Sequence, residues 1–138
     1  MAVTTRSEYA IRALLEIASG KGEAISAQKI CENQDLPKKY VERLLGNLKT
    51  AGLISSSAGS KGGYTLAKES SLIHLAEILS AVEDDSLNPT CSSGSNRFCP
   101  KGNCELRSFF SELGAEMHRL LSGFSLEDIY SKWQGDKK

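Results

Sequence analysis

This sequence has no long apolar run, no net charge and little proline. The low proline content excludes some fibrous and low-complexity classes of protein, and the lack of a long apolar run excludes a membrane-spanning helix. Of the 138 residues, 3 are proline and 12 are glycine, which excludes collagen-like and mucin-like chains. Apolar runs such as Leu44-Leu45 fall far short of the roughly 18 apolar residues that cross a bilayer, and the first residues lack the apolar core of a signal peptide. We therefore expect one cytoplasmic domain with no membrane partner.

Recognisable catalytic groupings are scarce as well. The sequence contains two histidines, His74 and His118, and neither falls in a pattern typical of a Ser/His/Asp or Cys/His site. Acid-base and nucleophilic catalysis would therefore have few residues to use. We do not expect an enzyme.

The formal charge is zero overall but is distributed unevenly. Residues 1–68 carry ten basic and six acidic side chains, a net charge of +4, so the remainder of the chain carries −4. A basic first half joined to an acidic second half suggests that one part of the protein meets a polyanion such as nucleic acid. The alternative is chance, since neutral proteins often show such an imbalance.

Hydrophobic periodicity predicts a mainly α-helical chain with one small β-hairpin. Apolar residues recur at helical spacing in five segments, and a capping box at Ser125 and Asp128 opens a sixth helix that continues through Trp133. Two short strands flank a glycine-rich loop. The predicted helices cover residues 5–19, a short stretch after a capping Ser26, 37–51, 73–82, about 106–121 and the last helix, and the strands cover 53–57 and 64–66.

The order of these elements is that of a winged helix-turn-helix followed by a long C-terminal dimerisation helix. We assign residues 1–82 to the DNA-binding domain, residues 83–104 to a cysteine-bearing loop, and residues 105–138 to the dimerisation helix and a C-terminal helix. The fifth helix is predicted to form a homodimer because it has more apolar surface than a small core can cover. Its apolar residues are Leu106, Phe109, Phe110, Leu113, Met117, Leu120 and Leu121.

The third predicted helix has the character of a DNA-reading helix. Pro37 occupies its predicted first position, and its apolar residues face inward. Arg43 can form a forked contact to guanine, whereas Lys38 and Lys39 suit phosphates. The alternative is an ordinary solvated helix face, and Lys61 at the tip of the glycine-rich hairpin favours DNA. The outer face holds Lys38, Lys39, Tyr40, Glu42, Arg43 and Asn47.

The predicted loop carries three cysteines, Cys91, Cys99 and Cys104, in the pattern Cys-x7-Cys-x4-Cys. Zinc sites prefer closer pairs, whereas iron–sulfur clusters accept wider spacings and an occasional non-cysteine ligand. Three thiolates would leave one iron coordination site for another ligand, and such a labile cluster suits a sensor. The alternative is three unligated thiols or an adventitious disulfide. Cys31, on the buried side of the second helix, is predicted to behave as a small hydrophobe.

The sequence resembles the Rrf family of bacterial winged-helix regulators, of the IscR, NsrR and RirA type. The resemblance covers most of the chain, and it implies a homodimer that places the third helix in the major groove of a double-stranded DNA operator and the wing on the flanking minor groove. It rests on Tyr9-Ala10, Leu36-Pro37-x-x-Tyr40-Val41-Glu42, Leu48-x-x-Ala51-Gly52-Leu53-Ile54, Gly59-x-x-Gly62-Gly63-Tyr64-x-Leu66 and the three loop cysteines. The DNA-reading residues that it implies are Lys39, Tyr40, Glu42, Arg43, Ser60 and Lys61.

The same resemblance implies an iron–sulfur cluster, 2Fe-2S or 4Fe-4S, on the three loop cysteines. In some relatives an acidic residue near the N-terminus, donated by the other subunit, supplies the missing ligand, and Glu8 occupies that position here. On physics alone, Glu8 is a first-turn acid that favours the helix dipole. Two residues depart from the family pattern. Ala58 stands where the wing commonly has arginine, and Arg107, which cannot ligate iron, stands where a histidine completes the cluster of IscR.

We therefore predict a transcriptional regulator, a repressor, that senses iron, nitric oxide or redox state through a labile cluster. One alternative keeps DNA binding but leaves the cysteines as bare thiols that respond by disulfide formation or partner binding. Another is a small iron–sulfur electron-transfer protein, which would need neither a basic first half nor a wing.

Overall fold

A computed structural model of the protein describes residues 4–82 and 105–136. Within these residues the chain forms six α-helices, one short 3₁₀ helix and a two-stranded antiparallel hairpin, which agrees with the predicted fold class. In chain order the elements are α1 (Thr5–Ser19), α2 (Ala27–Gln34), α3 (Lys38–Thr50), β1 (Ile54–Ser57), β2 (Gly63–Leu66), the 3₁₀ helix (Ser70–Leu72), α4 (Leu75–Ala81), α5 (Arg107–Ser122) and α6 (Leu126–Asp136).

The first two helices begin where the sequence places a capping hydroxyl. The Thr4 side chain accepts a hydrogen bond from the backbone N–H of Ser7 at 3.2 Å, and Ser26 accepts one from the N–H of Lys29 at the same distance. These bonds satisfy donors that have no partner inside the helix. Helix α2 ends at Gln34 and is followed by the C-cap Asp35, whose φ of 52° is in the left-handed region that short polar side chains tolerate.

Several boundaries differ from the predictions by one or two residues, and one short helix was not predicted. Pro37 precedes α3 as its N-cap, with an extended ψ of 122°, and is not the first helical residue. The 3₁₀ helix was not predicted, because a single turn has no apolar period to detect. Helix α4 begins at Leu75, two residues later than predicted, because Ile73 is extended and His74 is the N-cap.

The wing is joined to the start of α2 by a third segment. Strands β1 and β2 pair in a register that aligns Ile54 with Leu66, and Ile25 adds a further bridge in which its N–H donates to Tyr64 at 3.1 Å and its carbonyl accepts from Tyr64 at 2.8 Å. Gly63 makes this approach possible, because a Cβ at its φ of 148° would collide with the Ile25 carbonyl. The base of the wing is therefore fixed to the helix-turn-helix.

One core joins the N-terminal helices, the wing and α6. Residues from α1, α2, α3, β1 and α4 are buried together, and Leu126 at the start of α6 enters the same core with no exposed surface. Backbone hydrogen bonds fix this joint: Leu126 donates to Ile73 at 2.7 Å, and Leu75 donates to Phe124 at 2.8 Å. The predicted capping box is confirmed, since Ser125 and Asp128 each accept from the other's backbone N–H.

Helix α5 leaves most of its apolar face uncovered in the described part of the chain. Of its sixteen residues only Gly114 is buried. Leu106, Phe109, Leu113 and Leu120 expose 57%, 58%, 40% and 62% of their surface. Among the residues that the structure describes, no helix is long and apolar enough to cross a membrane.

Candidate nucleic-acid interface

Helix α3 presents a basic outer surface on its first turns. Its inward side is fixed in the core by four fully or almost fully buried apolar residues, Val41, Leu44, Leu45 and Leu48. The side chains predicted to read DNA are on the opposite side: Lys38, Lys39, Glu42 and Arg43 are all exposed. The first turn contains no acidic residue, and Pro37 provides no side-chain cap, so the amide groups at this end remain available to an anion.

Tyr40 differs from its neighbours on α3. It is half-buried and packs against the core, with its ring 5.7 Å from that of Tyr9 and nearly perpendicular to it. This edge-to-face arrangement links the start of α3 to α1. The ring of Tyr40 therefore packs against α1, whereas the side chains of Lys38 and Lys39 beside it are exposed to solvent.

The tip of the wing lies beside the first turn of α2. Ser60 and Lys61, both predicted to contact DNA, are exposed. An open cleft of about 710 Å³ separates the tip from the start of α2, and Lys29 contributes a second basic side chain to it. The cleft is lined by Glu23, Ala24, Ile25, Ser26, Lys29, Ser60, Lys61 and Gly62. Two separate elements thus supply exposed positive charge around one concave surface.

Glu8 lies in the first turn of α1 as an exposed carboxylate. It forms an ion pair with Arg12, one turn later, at 3.1 Å, and both side chains are about half exposed. Arg12 also donates to the side-chain oxygen of Gln34, the last residue of α2, at 3.3 Å. Arg6, on the same turn as Glu8, donates to the carbonyl of Val82 at 3.1 Å. Val82 is the residue after which the cysteine-bearing segment begins.

The three predicted cluster cysteines, Cys91, Cys99 and Cys104, lie outside the described residues, so the structure gives no distances for them. Within residues 4–82 and 105–136, no group of three His, Cys, Asp or Glu side chains could hold a metal ion. Cys31 is buried, and its burial, reinforced by the charge of Glu42, raises the pKa of its thiol. This placement matches the prediction that Cys31 packs as a small hydrophobe.

One polar group that the sequence analysis did not single out is a buried carboxylate. Glu16 on α1 is only 6% exposed, and it binds side chains of Asn33 and Gln34 at the end of α2. Hydropathy alone treats a glutamate as a solvated residue. The signal that could have identified it is its position, since Leu15 and Ile17, the residues on either side of it, are also buried.

Comparison with known proteins places the chain in a family. A sequence model of the Rrf2 family, described as an iron-dependent transcriptional regulator, matches residues 3–132. The chain belongs to the Rrf2 family. This Rrf2-family chain is 35% identical over 131 residues to protein rrf2 of Nitratidesulfovibrio vulgaris, and the match covers 94% of this chain and 87% of the relative.

Two further relatives illustrate the range of the Rrf2 family. The HTH-type transcriptional regulator IscR of Photorhabdus laumondii is 34% identical over 131 residues, covering 94% of this chain and 79% of the relative. The crystal structure of the oxidised form of Staphylococcus aureus CymR superimposes with a TM-score of 0.68 at 25% identity, covering 94% of this chain and 96% of that chain.

These findings confirm the resemblance to the family, the mainly helical fold and the expectation that the chain is not an enzyme. The chain is a transcriptional regulator, and regulators of this family bind DNA. The roles of individual DNA-reading and cluster-binding residues remain predictions. Family membership removes the electron-transfer alternative, because it assigns residues 3–132 to a family of transcriptional regulators.

Proposed function

We propose that this protein is a homodimeric repressor that binds a two-half-site DNA operator and changes its DNA affinity when an iron–sulfur cluster is damaged or lost. Helix α3 would enter the major groove, and the wing would contact the flanking minor groove. The observation that carries the DNA-binding part is the exposed basic start of α3, opposite its buried core side. Such a helix presents its first residues to base edges and its amides to phosphates.

The homodimer is supported by the apolar face of α5. Leu106, Phe109, Leu113 and Leu120 expose large apolar surfaces on or beside one helix. Contiguous exposed apolar surface of this kind marks an interaction site more often than a solvated face. A second copy of the chain is the simplest partner, because a two-fold axis would place two recognition helices on successive half-sites of an operator.

The residues available to a cluster fit its chemistry. Three thiols in one segment, Cys91, Cys99 and Cys104, supply the soft ligands that iron–sulfur clusters require. When bound, the cluster would supply iron that reacts with nitric oxide or oxidants and that is lost when iron is scarce. The IscR-named relative supports this assignment, which family membership alone leaves open.

Glu8 of the partner subunit is the ligand that we assign to the remaining iron site. Residues two apart point to opposite sides of a helix, so Glu8 points away from the side on which Arg6 donates to Val82, the residue that precedes the cysteine segment of the same chain. This geometry favours donation to the other subunit. To ligate iron, the Glu8 carboxylate would have to leave or share Arg12, and a carboxylate is a harder and weaker ligand than thiolate.

Anaerobic purification with iron and sulfide counting tests the cluster directly. The parent is expected to be brown and to contain iron and inorganic sulfide in equal amounts. In matched reconstitutions, Cys99→Ala should lose the cluster, whereas Glu8→Ala should assemble one with an altered absorption spectrum and faster loss in air. An unchanged spectrum and lifetime for Glu8→Ala would reject its ligand role and leave the three-cysteine site intact.

A second candidate function keeps the DNA-binding part but uses bare thiols. The observation that favours it is the match to a CymR structure described as an oxidised form. In that case the loop cysteines would respond by forming a disulfide or by binding a partner protein. The same anaerobic preparation separates the two candidates, because a cluster absorbs visible light and thiols do not.

A further inference from the structure

The buried carboxylate of Glu16 is the least expected polar feature of the N-terminal domain. It lies on α1 between the buried residues Leu15 and Ile17 in the sequence, and only 6% of its surface is exposed. Burying a carboxylate is costly unless its oxygens accept hydrogen bonds. Both oxygens do so, since Oε2 accepts from the amide nitrogen of Asn33 at 3.0 Å and Oε1 accepts from that of Gln34 at 2.5 Å.

The two donors are the last residues of α2. After Gln34 only Asp35, Leu36 and Pro37 precede the first residue of α3. Asp35 is in the left-handed conformation and Pro37 has a fixed φ, so this connection has little freedom of its own. Any shift of the end of α2 relative to α1 would therefore be transmitted to the start of α3, where Lys38 and Lys39 are exposed.

The orientation of the Gln34 amide is set at both of its ends. Its nitrogen donates to Glu16, and its oxygen accepts from Arg12 at 3.3 Å. The amide nitrogen therefore needs a hydrogen-bond acceptor at position 16, and the amide oxygen needs a donor at position 12. This pairing specifies one arrangement of α1 against the end of α2.

We propose that Glu16 is a positioning residue for DNA reading, which holds the end of α2 through Asn33 and Gln34 and thereby fixes the direction in which α3 leaves the helix-turn-helix turn. This inference rests on the proposed operator binding and adds a residue that touches no DNA. A change at Glu16 should alter the discrimination between DNA sequences, because a forked base contact from α3 depends on precise placement of the side chain that makes it.

A charge-conserving swap tests the pairing. In Gln34→Glu two carboxylates face each other, whereas the double variant Glu16→Gln/Gln34→Glu again pairs an amide donor with a carboxylate and keeps the parental net charge. The matched control is Gln28→Glu. Gln28 donates to Glu32 at 3.0 Å on the exposed side of the same helix, so the substitution makes the same chemical change without contact to α1.

The measurement is the ratio of affinities for two duplexes, one enriched by the parent protein from a randomised library and one with its sequence scrambled. Added negative charge weakens binding to both duplexes alike and leaves the ratio unchanged. Gln34→Glu is expected to lower the ratio about tenfold, the discrimination of one good base contact, while the control changes it by less than about twofold. The double variant should return it to within about threefold of the parent.

Each result decides the matter. If Gln34→Glu keeps the parental affinity ratio, Glu16 has only a structural role. The same conclusion follows if the double variant regains the parental unfolding midpoint but not the parental affinity ratio. If Gln34→Glu does not fold, Gln34→Ala takes its place; it removes the hydrogen bonds to Glu16 and Arg12 and adds no charge, and a parental ratio in this variant likewise means that Glu16 has only a structural role. If no duplex is enriched by the parent, the operator-binding function itself fails and this inference with it. A parental ratio that persists in the variants rejects the inference alone.

Discussion

Helices α1 and α5 are of similar length and both carry an apolar stripe, but they have opposite environments. Seven of the fifteen residues of α1 are buried, whereas among the sixteen residues of α5 only Gly114 is buried in the described part of the chain. The apolar side of α1 is covered by α2, α3, α4, α6 and β2 of the same chain. Helix α5 contacts α4, and among the described residues Phe109, Leu113 and Leu120 of its apolar side are exposed.

This difference shows that hydrophobic periodicity in a sequence predicts an apolar face on a helix but does not identify what covers that face. Both stripes follow the same 3.6-residue period, which reflects helix geometry alone. Coverage depends on which other elements the fold brings to that face. The apolar face of α1 is covered by other elements of the same chain, and we propose that a second copy of the chain covers the apolar face of α5.

The largest expected effect is on the dimer. Leu113→Asp should raise the dimer dissociation constant at least about a hundredfold, because each dimer loses two buried leucines worth roughly 1.5–3 kcal/mol each. Sedimentation equilibrium at micromolar concentration should then detect a monomer that no longer binds a two-half-site operator. Leu72→Asp is the matched control, since Leu72 is 55% exposed but belongs to the 3₁₀ helix and not to α5. A persistent Leu113→Asp dimer would reject the α5 interface.

The second prediction compares the two stripes in the monomer. In the Leu113→Asp background, Leu44→Ala should lower the free energy of unfolding by about 2–5 kcal/mol, because Leu44 is 1% exposed and its removal leaves a cavity. Leu120→Ala, at a side chain that is 62% exposed, should change it by less than about 0.5 kcal/mol. Denaturant unfolding measures both. Equal losses would mean that the chain itself covers the α5 stripe.

The elements with clear local signals were predicted almost to the residue. Helix α1 has exactly the predicted bounds because Thr4 caps its start and glycines follow its end. The capping box of α6 was likewise recognisable from Ser125 and Asp128 alone. Such features depend on residues three or four apart, which a single sequence displays directly.

Features that depend on distant residues were missed or misplaced. The hydrogen bonds that satisfy the buried Glu16 come from amides 17 and 18 residues further along, so no local pattern in the sequence predicts them. Tyr40 was placed on the outer face of α3 by its period, yet its packing on Tyr9 leaves it half-buried. The cluster assignment rests on residues 91–104, which lie outside the described parts of the chain.

The third prediction separates DNA reading from dimerisation. Arg43 is exposed on α3, a different helix from the proposed α5 interface, so Arg43→Ala should keep the dimer intact. If Arg43 reads a base, the substitution should reduce discrimination between operator and random DNA by about 1–3 kcal/mol. Lys61→Ala on the wing should instead weaken both complexes alike and reduce the salt dependence by about one counterion. Parental binding by both variants at several salt concentrations would mean that the reading face is misplaced.

The smallest expected effect concerns the joint between the two regions, where α6 enters the core that α1 belongs to. Ser125→Ala removes the hydroxyl that accepts from the Asp128 N–H at 3.2 Å, and loss of such a cap costs about 0.5–2 kcal/mol of unfolding free energy. The unfolding midpoint of the variant should therefore fall below that of the parent at neutral pH. Dimerisation through α5 should be unaffected, because the cap belongs to the self-covered region.

The same cap makes α6 sensitive to acid. The hydrogen bond from the Ser125 backbone N–H, followed by that with its side chain, lowers the pKa of Asp128 below its ordinary value of 3.8. A carboxyl whose pKa is depressed on folding contributes stability above its unfolded pKa and loses it as the pH falls through the folded one. The parent should therefore lose this contribution as the pH falls below about 4, whereas Asp128→Asn, which cannot titrate, should show a shallower fall over the same range. Identical acid unfolding curves for the parent and Asp128→Asn would show that the charge of Asp128 contributes nothing to the joint.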